Sequence, residues 1–258
     1  MDLGISGRKA LICASSKGLG YACAEALARE GVEVWINGRN AQRLAEAAGR
    51  LSALGAAVTS VPADVTSAAG RSALLAACPA PDILVNNNAG PDARDFLSLD
   101  EADWMDAVRA NMIAPLLLIR AVLPGMRERR FGRIVNITSA MVTTPRPHMA
   151  LSSAARGGLT VAAKGQSLAV ARDNVTINNL LPERMDTDRQ HYMAESTSKR
   201  ERISLERARL LQIESIAARR LGQPAELGAT CAFLCSVHAS YISGQNLHLD
   251  GGSYPALI

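Results

Sequence analysis

The feature that most constrains this chain is an alternation of short β-branched or apolar runs with stretches of helical periodicity, sustained from residue 8 to residue 250. Runs near Lys9 to Ala14, Val32 to Ile36, Ala57 to Val61, Ile83 to Asn86, Arg133 to Thr138, Thr176 to Leu180 and Asn246 to Leu249 read as strands. Between them Gly18 to Glu30, Ala41 to Leu54, Ser67 to Ala77, Leu99 to Leu123, Leu151 to Ala171 and Pro224 to Ser236 read as helices. Connections of that length force parallel pairing and place helices on both faces, so the expected fold is a doubly wound α/β domain with a seven-stranded parallel sheet. No linker divides residues 1–258, and one domain is expected. The exception is 183–218, polar and of mixed charge, which reads as a solvated helical excursion. Ser98 with Glu101 has the spacing of a capping box, and Pro224 with Glu226 suits a first helical turn.

Composition narrows the functional classes. With 48% hydrophobic residues the chain has material for a sizeable core. A net charge of +4 from 28 basic and 24 acidic residues is too balanced for a nucleic-acid binder, and the basic run at Arg127 to Arg130 is broken by Glu128 with no aromatic platform beside it. Small molecules or other subunits are the expected partners. Arg120 and Pro124 interrupt the best apolar run, so no transmembrane segment is expected, and the apolar stretch after Arg8-Lys9 has no cleavage-like site. The cytoplasm is the expected location. Five irregularly spaced cysteines read as reduced core thiols, and Cys231, Cys235 and His238, although spaced along a helix face, read as part of a core helix rather than as metal ligands.

The first strand-to-helix turn of such a sheet is the usual phosphate site. Here it runs Cys13-Ala14-Ser15-Ser16-Lys17-Gly18-Leu19-Gly20, where the glycines allow close backbone approach and the helix N-terminus offers unpaired amides. After the second strand stands Asn37-Gly38-Arg39 rather than an acidic residue that would bind a ribose diol. Arg39, with Lys17 nearby, suits the extra phosphate of NADP(H), which is expected over NAD(H).

Together these motifs resemble the short-chain dehydrogenase/reductase family over essentially the whole chain. The glycine turn is similar to the family's T-G-x-x-x-G-x-G, with Ala14 at the first glycine. Asp64-Val65 resembles the adenine-contacting segment, and Asn87, Ala89 and Gly90 fall in an N-N-A-G segment with one asparagine more than usual. Asn111 resembles the helix asparagine, Asn136-Ile137-Thr138-Ser139 the strand ending in the catalytic serine, and Ser240 to Gln245 with Asp250-Gly251-Gly252 the C-terminal segment. The resemblance implies a Rossmann-type fold, an NADP(H)-dependent oxidoreductase acting on a carbonyl or secondary alcohol, Pro182 beside the cofactor, a lid at 183–218, and a homotetramer or homodimer.

One departure stands out against that family. Its tyrosine and lysine, four residues apart on one helix face, transfer the proton and hold the nicotinamide ribose. In this chain Met149 occupies the tyrosine position and Ser153 the lysine position. No tyrosine lies between residues 22 and 191, and the one lysine between 18 and 198, Lys164, is eleven residues past Ser153, about 16 Å along a helix. Ser139 and Asn111 therefore remain as catalytic candidates without the usual acid. His148 and the lid residue Tyr192 are candidate proton donors, Arg156 could replace part of the lysine's charge, and Ser153 could bond the ribose. Glu183, where the family has glycine, is expected to cap the segment that follows. The competing reading is a non-catalytic NADP(H)-binding sensor or partner subunit.

Overall fold

The computed structural model describes residues 1–257. Seven strands form one parallel sheet: β1 (Lys9–Ile12), β2 (Glu33–Gly38), β3 (Val58–Pro62), β4 (Ile83–Asn86), β5 (Gly132–Ile137), β6 (Val175–Pro182) and β7 (Asn246–Leu249), in the order β3-β2-β1-β4-β5-β6-β7. The order reverses between β1 and β4, and at such a switch point the loops beyond two adjacent strands diverge and open a crevice. Helices cover both faces: α1 (Gly18–Arg29), α2 (Ala41–Ser52), α3 (Ala68–Ala77), α4 (Glu101–Val108), α5 (Ala114–Glu128), α6 (Ala150–Val170), α7 (Asp188–Glu201), α8 (Leu205–Glu214) and α9 (Pro224–Cys235).

Central strands β4 and β5 are buried along their whole length, and their apolar residues accordingly fall in consecutive runs, Ile83 to Val85 and Ile134-Val135, rather than alternating with polar ones. The core divides by sheet face. One layer packs Leu27, Ile36, Val85, Val135 and Leu234, and the other packs Leu11, Leu84, Leu118, Ile134, Leu159 and Ile177. Cys231 and Cys235 are fully buried in the first layer with Cys23, whereas His238 sits at the surface with Nε2 2.8 Å from the Asp2 carbonyl.

A ladder of asparagines crosses the sheet. Asn86, Asn136, Asn179 and Asn246 lie in register on β4, β5, β6 and β7, each side-chain amide donating to the next carbonyl oxygen at 2.9, 2.9 and 2.8 Å. Buried amides are stable when so connected, and the ladder ties together the strand ends that carry the site.

Three local expectations are corrected. The capping box before α4 is made by Asp100 and Asp103, not Ser98 and Glu101; Ser98 lies in a preceding 3-10 turn and bonds the Asp95 carbonyl instead. The helix expected to stop at Leu123 runs to Glu128, because Pro124 lies inside α5 and costs one backbone bond that the surrounding packing tolerates. Glu101–Glu128 thus forms a continuous helical stretch containing an 18-residue window with a mean hydropathy of 1.4, long and apolar enough to cross a bilayer, where the sequence reading expects no such segment. Its residues Leu118, Ile119, Val122 and Met126 pack into the core beside the sheet, as a core helix does.

Candidate active site

A cleft of about 1410 Å³ runs along the carboxyl ends of the strands. One wall of it begins at the turn between β1 and α1. Ala14 stands at φ +45, a conformation that favours glycine, and the Asn37 side chain holds it there by accepting from its N–H at 3.2 Å. Asn37 also donates to the Val61 and Ala63 carbonyls at 3.0 and 2.9 Å, while Asn87 donates to the Ala14 carbonyl at 3.1 Å. A Cβ on Gly20 would lie 2.5 Å from the Ala14 carbonyl oxygen and 2.8 Å from Asn87 Nδ2, so glycine there lets the helix meet the turn. Gly20 does not line the cleft; Ser16, Lys17, Gly18 and Leu19 do.

The residues at this end fit a dinucleotide. The N-terminus of α1 has no side-chain cap, in contrast to α2, α3, α4, α7 and α8, which Asn40, Ser67, Asp100, Thr187 and Ser204 cap. Uncapped amides facing a cleft make a ready pyrophosphate site. Asp64 lines the cleft with Val65, and hydrogen bonds from Thr66, the backbone one first, hold its carboxyl below the usual range. Arg39 lines the same end exposed and, among the described residues, makes no ion pair or hydrogen bond. Lys17 is committed elsewhere: Nζ lies 2.6 Å from Asp188 at the start of α7, a contact that straps the lid to the glycine turn.

The catalytic end is made by the loop after β4, the end of β5, the start of α6 and the segment after β6. Asn87, Ala89, Gly90 and Pro182 line it, as do Ser139, His148 and Met149. Ser139 Oγ accepts from the Met141 N–H at 3.2 Å, which leaves its own proton to donate. His148 is exposed at the rim of the cleft, and partial desolvation and then the charges of Arg200, Arg146 and Arg184 lower its pKa. Met149 stands immediately before α6, which faces the cleft with Ser152 and Arg156, one and two turns on. Ser153 does not line the cleft; its Oγ is buried without a partner. Tyr192 does not line it either, being 48% exposed on α7 with its ring 5.6 Å from the Arg189 guanidinium. Tyr21, on α1, is the tyrosine that the cleft does meet among the described residues, at the opposite end.

Arg156 is the element of this end that the sequence least discloses. Its guanidinium is buried and donates to the carbonyls of Ile137 at 2.7 Å, Thr138 at 3.0 Å and Asn88 at 3.2 Å, tying the end of β5 to the loop after β4. Burial first, then Arg189, brings its pKa down to about 10, so it stays charged at neutral pH. Behind it a small cavity of about 20 Å³ is lined by Asn86, Asn111 and Arg156. Asn111 sits in a π-helical turn, Arg109–Ile113, between α4 and α5; its Oδ1 and that of Asn86 are buried acceptors without partners. Glu183 does not cap α7, which Thr187 caps; it forms an ion pair with Arg146 instead, 37 residues away in sequence.

Comparison with known proteins agrees with this geometry. A family model described as enoyl-(acyl carrier protein) reductase matches residues 13–254. The 3-oxoacyl-[acyl-carrier-protein] reductase FabG of Vibrio cholerae is 31% identical, covering 98% of this chain and 99% of its own. The NADPH-dependent reductase BacG of Bacillus subtilis is 30% identical over 98% of this chain and 100% of its own. The structure of L-sorbose reductase from Gluconobacter frateurii, complexed with NADPH and L-sorbose, superposes with a TM-score of 0.93 at 30% identity, covering 100% of both chains. The sheet order, the glycine turn, the serine at the end of β5 and relatives matched from end to end place the chain in the short-chain dehydrogenase/reductase family of oxidoreductases.

Proposed function

We propose that the protein is an NADP(H)-dependent oxidoreductase that interconverts a carbonyl compound and its alcohol, with His148 in place of the family's tyrosine as proton donor. The observation that carries the cofactor preference is Arg39, exposed and uncommitted at the end of β2 where an acidic residue would select NAD(H). NADPH and structures holding it recur among the relatives. Bound along the cleft, the cofactor would supply a hydride to the carbonyl carbon. Ser139 donates its hydroxyl proton in a hydrogen bond to the carbonyl oxygen and orients it. His148, the imidazole that lines this end of the cleft, delivers the proton that completes the alcohol.

Arg156 acts as a positioning residue. It fixes Ser139 through the Thr138 carbonyl and supplies a buried positive charge in the region where a lysine is absent. The cavity behind it is large enough for one water, whose two protons would serve Asn86 Oδ1 and Asn111 Oδ1 and link them to the site. Exposed Ile113, Val161 and Leu168 on the helices beside the sheet support assembly with further copies of the chain, as a homodimer or homotetramer.

The second reading is a sensor that binds NADP(H) without turnover, favoured by the absence of tyrosine and lysine from the catalytic end of the cleft among the described residues. Purified protein mixed with NADPH and a panel of ketones, keto acids and quinones separates the two. Decay of NADPH absorbance with product alcohol supports the enzyme; tight binding with no decay across the panel supports the sensor.

A further inference from the structure

The guanidinium groups of Arg146, Arg156 and Arg184 line the catalytic end of the cleft with His148, and one carboxylate, Glu183, lies among them. Glu183 is already bonded to Arg146. Arg156 has only carbonyl oxygens as partners. Arg184 stands at φ +50 with its side chain 20% exposed; its Nε is buried without a hydrogen bond, 3.9 Å from the closest Glu183 oxygen. The other charges on this edge of the lid are satisfied in pairs: Asp188 with Lys17, Asp186 with Arg209, and Arg189 with Asp92. Three guanidinium groups therefore share one carboxylate, which Arg146 and Arg184 both approach, and the net excess of two positive charges is costly until an anion joins it.

On the reading of the site as an oxidoreductase centre, the cofactor's phosphates are accounted for at the opposite end, by α1 and Arg39. We propose that the missing anion is the substrate's own carboxylate, held by Arg146 and Arg184 beside the reacting carbon, so that the site takes a keto acid or hydroxy acid rather than a neutral ketone or alcohol. The same contact would act on His148. The charges that face its ring are Arg146, Arg184 and Arg200, with Glu183 engaged by Arg146. A carboxylate placed among them offsets their repulsion and favours the imidazolium, so the proton donor becomes charged when the substrate arrives. In the reductive direction the hydride adds to the carbonyl carbon, the carbonyl π pair becomes the new O–H bond, and the proton comes from His148, which is left neutral.

The test measures binding and turnover separately. Calorimetry with NADP⁺-loaded protein compares 2-oxobutanoate, acetoacetate and levulinate with their methyl esters, and NADPH oxidation is followed with the same six compounds. We expect at least one acid to bind about 10- to 100-fold tighter than its ester, the range of a charge-assisted hydrogen bond. Arg184→Gln and Arg146→Gln each reduce that preference about 10-fold, and Arg184→Lys restores most of it. Equal binding of acid and ester, no binding of any acid, or variants that leave the preference unchanged would overturn the proposal. Selective binding of acids without oxidation of NADPH upholds the anion site and refutes the oxidoreductase reading; reduction of esters as fast as acids does the reverse.

Discussion

The two ends of the cleft are built by different means. At the end proposed for the adenosine, the wall is built from backbone: an uncapped helix terminus, a turn in which Ala14 adopts a glycine-like conformation, and a glycine where a Cβ would collide with the turn. Such a site depends on local geometry, and local geometry is written in short contiguous motifs. At the catalytic end, side chains from distant segments converge, with Arg156 reaching the ends of β4 and β5 and Arg146 meeting Glu183 across 37 residues. On the proposed function, His148 and Arg156 supply from other positions what Met149 and Ser153 do not.

This contrast can be broken from either side. The largest effect is expected from Arg156→Met, which removes three hydrogen bonds to buried carbonyls; stability should fall by about 3 kcal/mol and turnover about 100-fold. NADPH affinity, measured by fluorescence titration in the folded variant, should be largely kept, because the adenosine end is untouched. Next, Met149→Tyr with Ser153→Lys should raise reduction of neutral ketones by about 10²-fold, the ordinary contribution of a positioned acid. A folded, NADPH-binding double variant with no gain would mean that Arg156 has reshaped the end of β5 beyond repair by two side chains.

At the other end, Arg39→Gln should lower the preference for NADPH over NADH by about 10-fold, the value of one charge-assisted contact to phosphate. The smallest effect should come from Ala14→Gly. Relief of the left-handed backbone is partly offset by the freedom glycine gains when unfolded, for a net stabilisation of about 0.5–1 kcal/mol. A fall in melting temperature would show that the Ala14 methyl group contributes packing that outweighs its backbone strain.

How much of this was legible in the sequence follows the same division. Strand β4 begins and ends where its apolar run does, since a strand buried on both faces carries its signal in consecutive residues. The capping box slipped by two residues because Ser98-Leu99-Asp100-Glu101-Ala102-Asp103 contains the required spacing twice, and only the backbone decides between the two pairs. The asparagine ladder was hidden for a different reason: Asn86, Asn136, Asn179 and Asn246 become one object only when strand register is known. Tyr192 and Ser153 depend on which face a helix turns to the cleft, and in the polar lid no hydrophobic stripe declares that face. Arg156 lies on the stripe shared with Met149 and Ser152, so its direction was readable, but its three carbonyl partners were not.

Proton delivery by His148 in place of a tyrosine would be read out by the pH dependence of kcat/KM for NADPH-driven reduction. The folded-state pKa of His148 lies below its ordinary value, so in the free enzyme the imidazolium is present at low pH and lost as pH rises through that depressed value. Between about pH 5 and about pH 9, wild-type kcat/KM should therefore be highest at the acid end and fall about tenfold per pH unit above the His148 pKa. His148→Gln should be slower by about 10²-fold and flat across the same range. A His148→Gln variant that keeps the wild-type rate and the wild-type pH profile would contradict the account and return the search for the proton donor to the rest of the cleft.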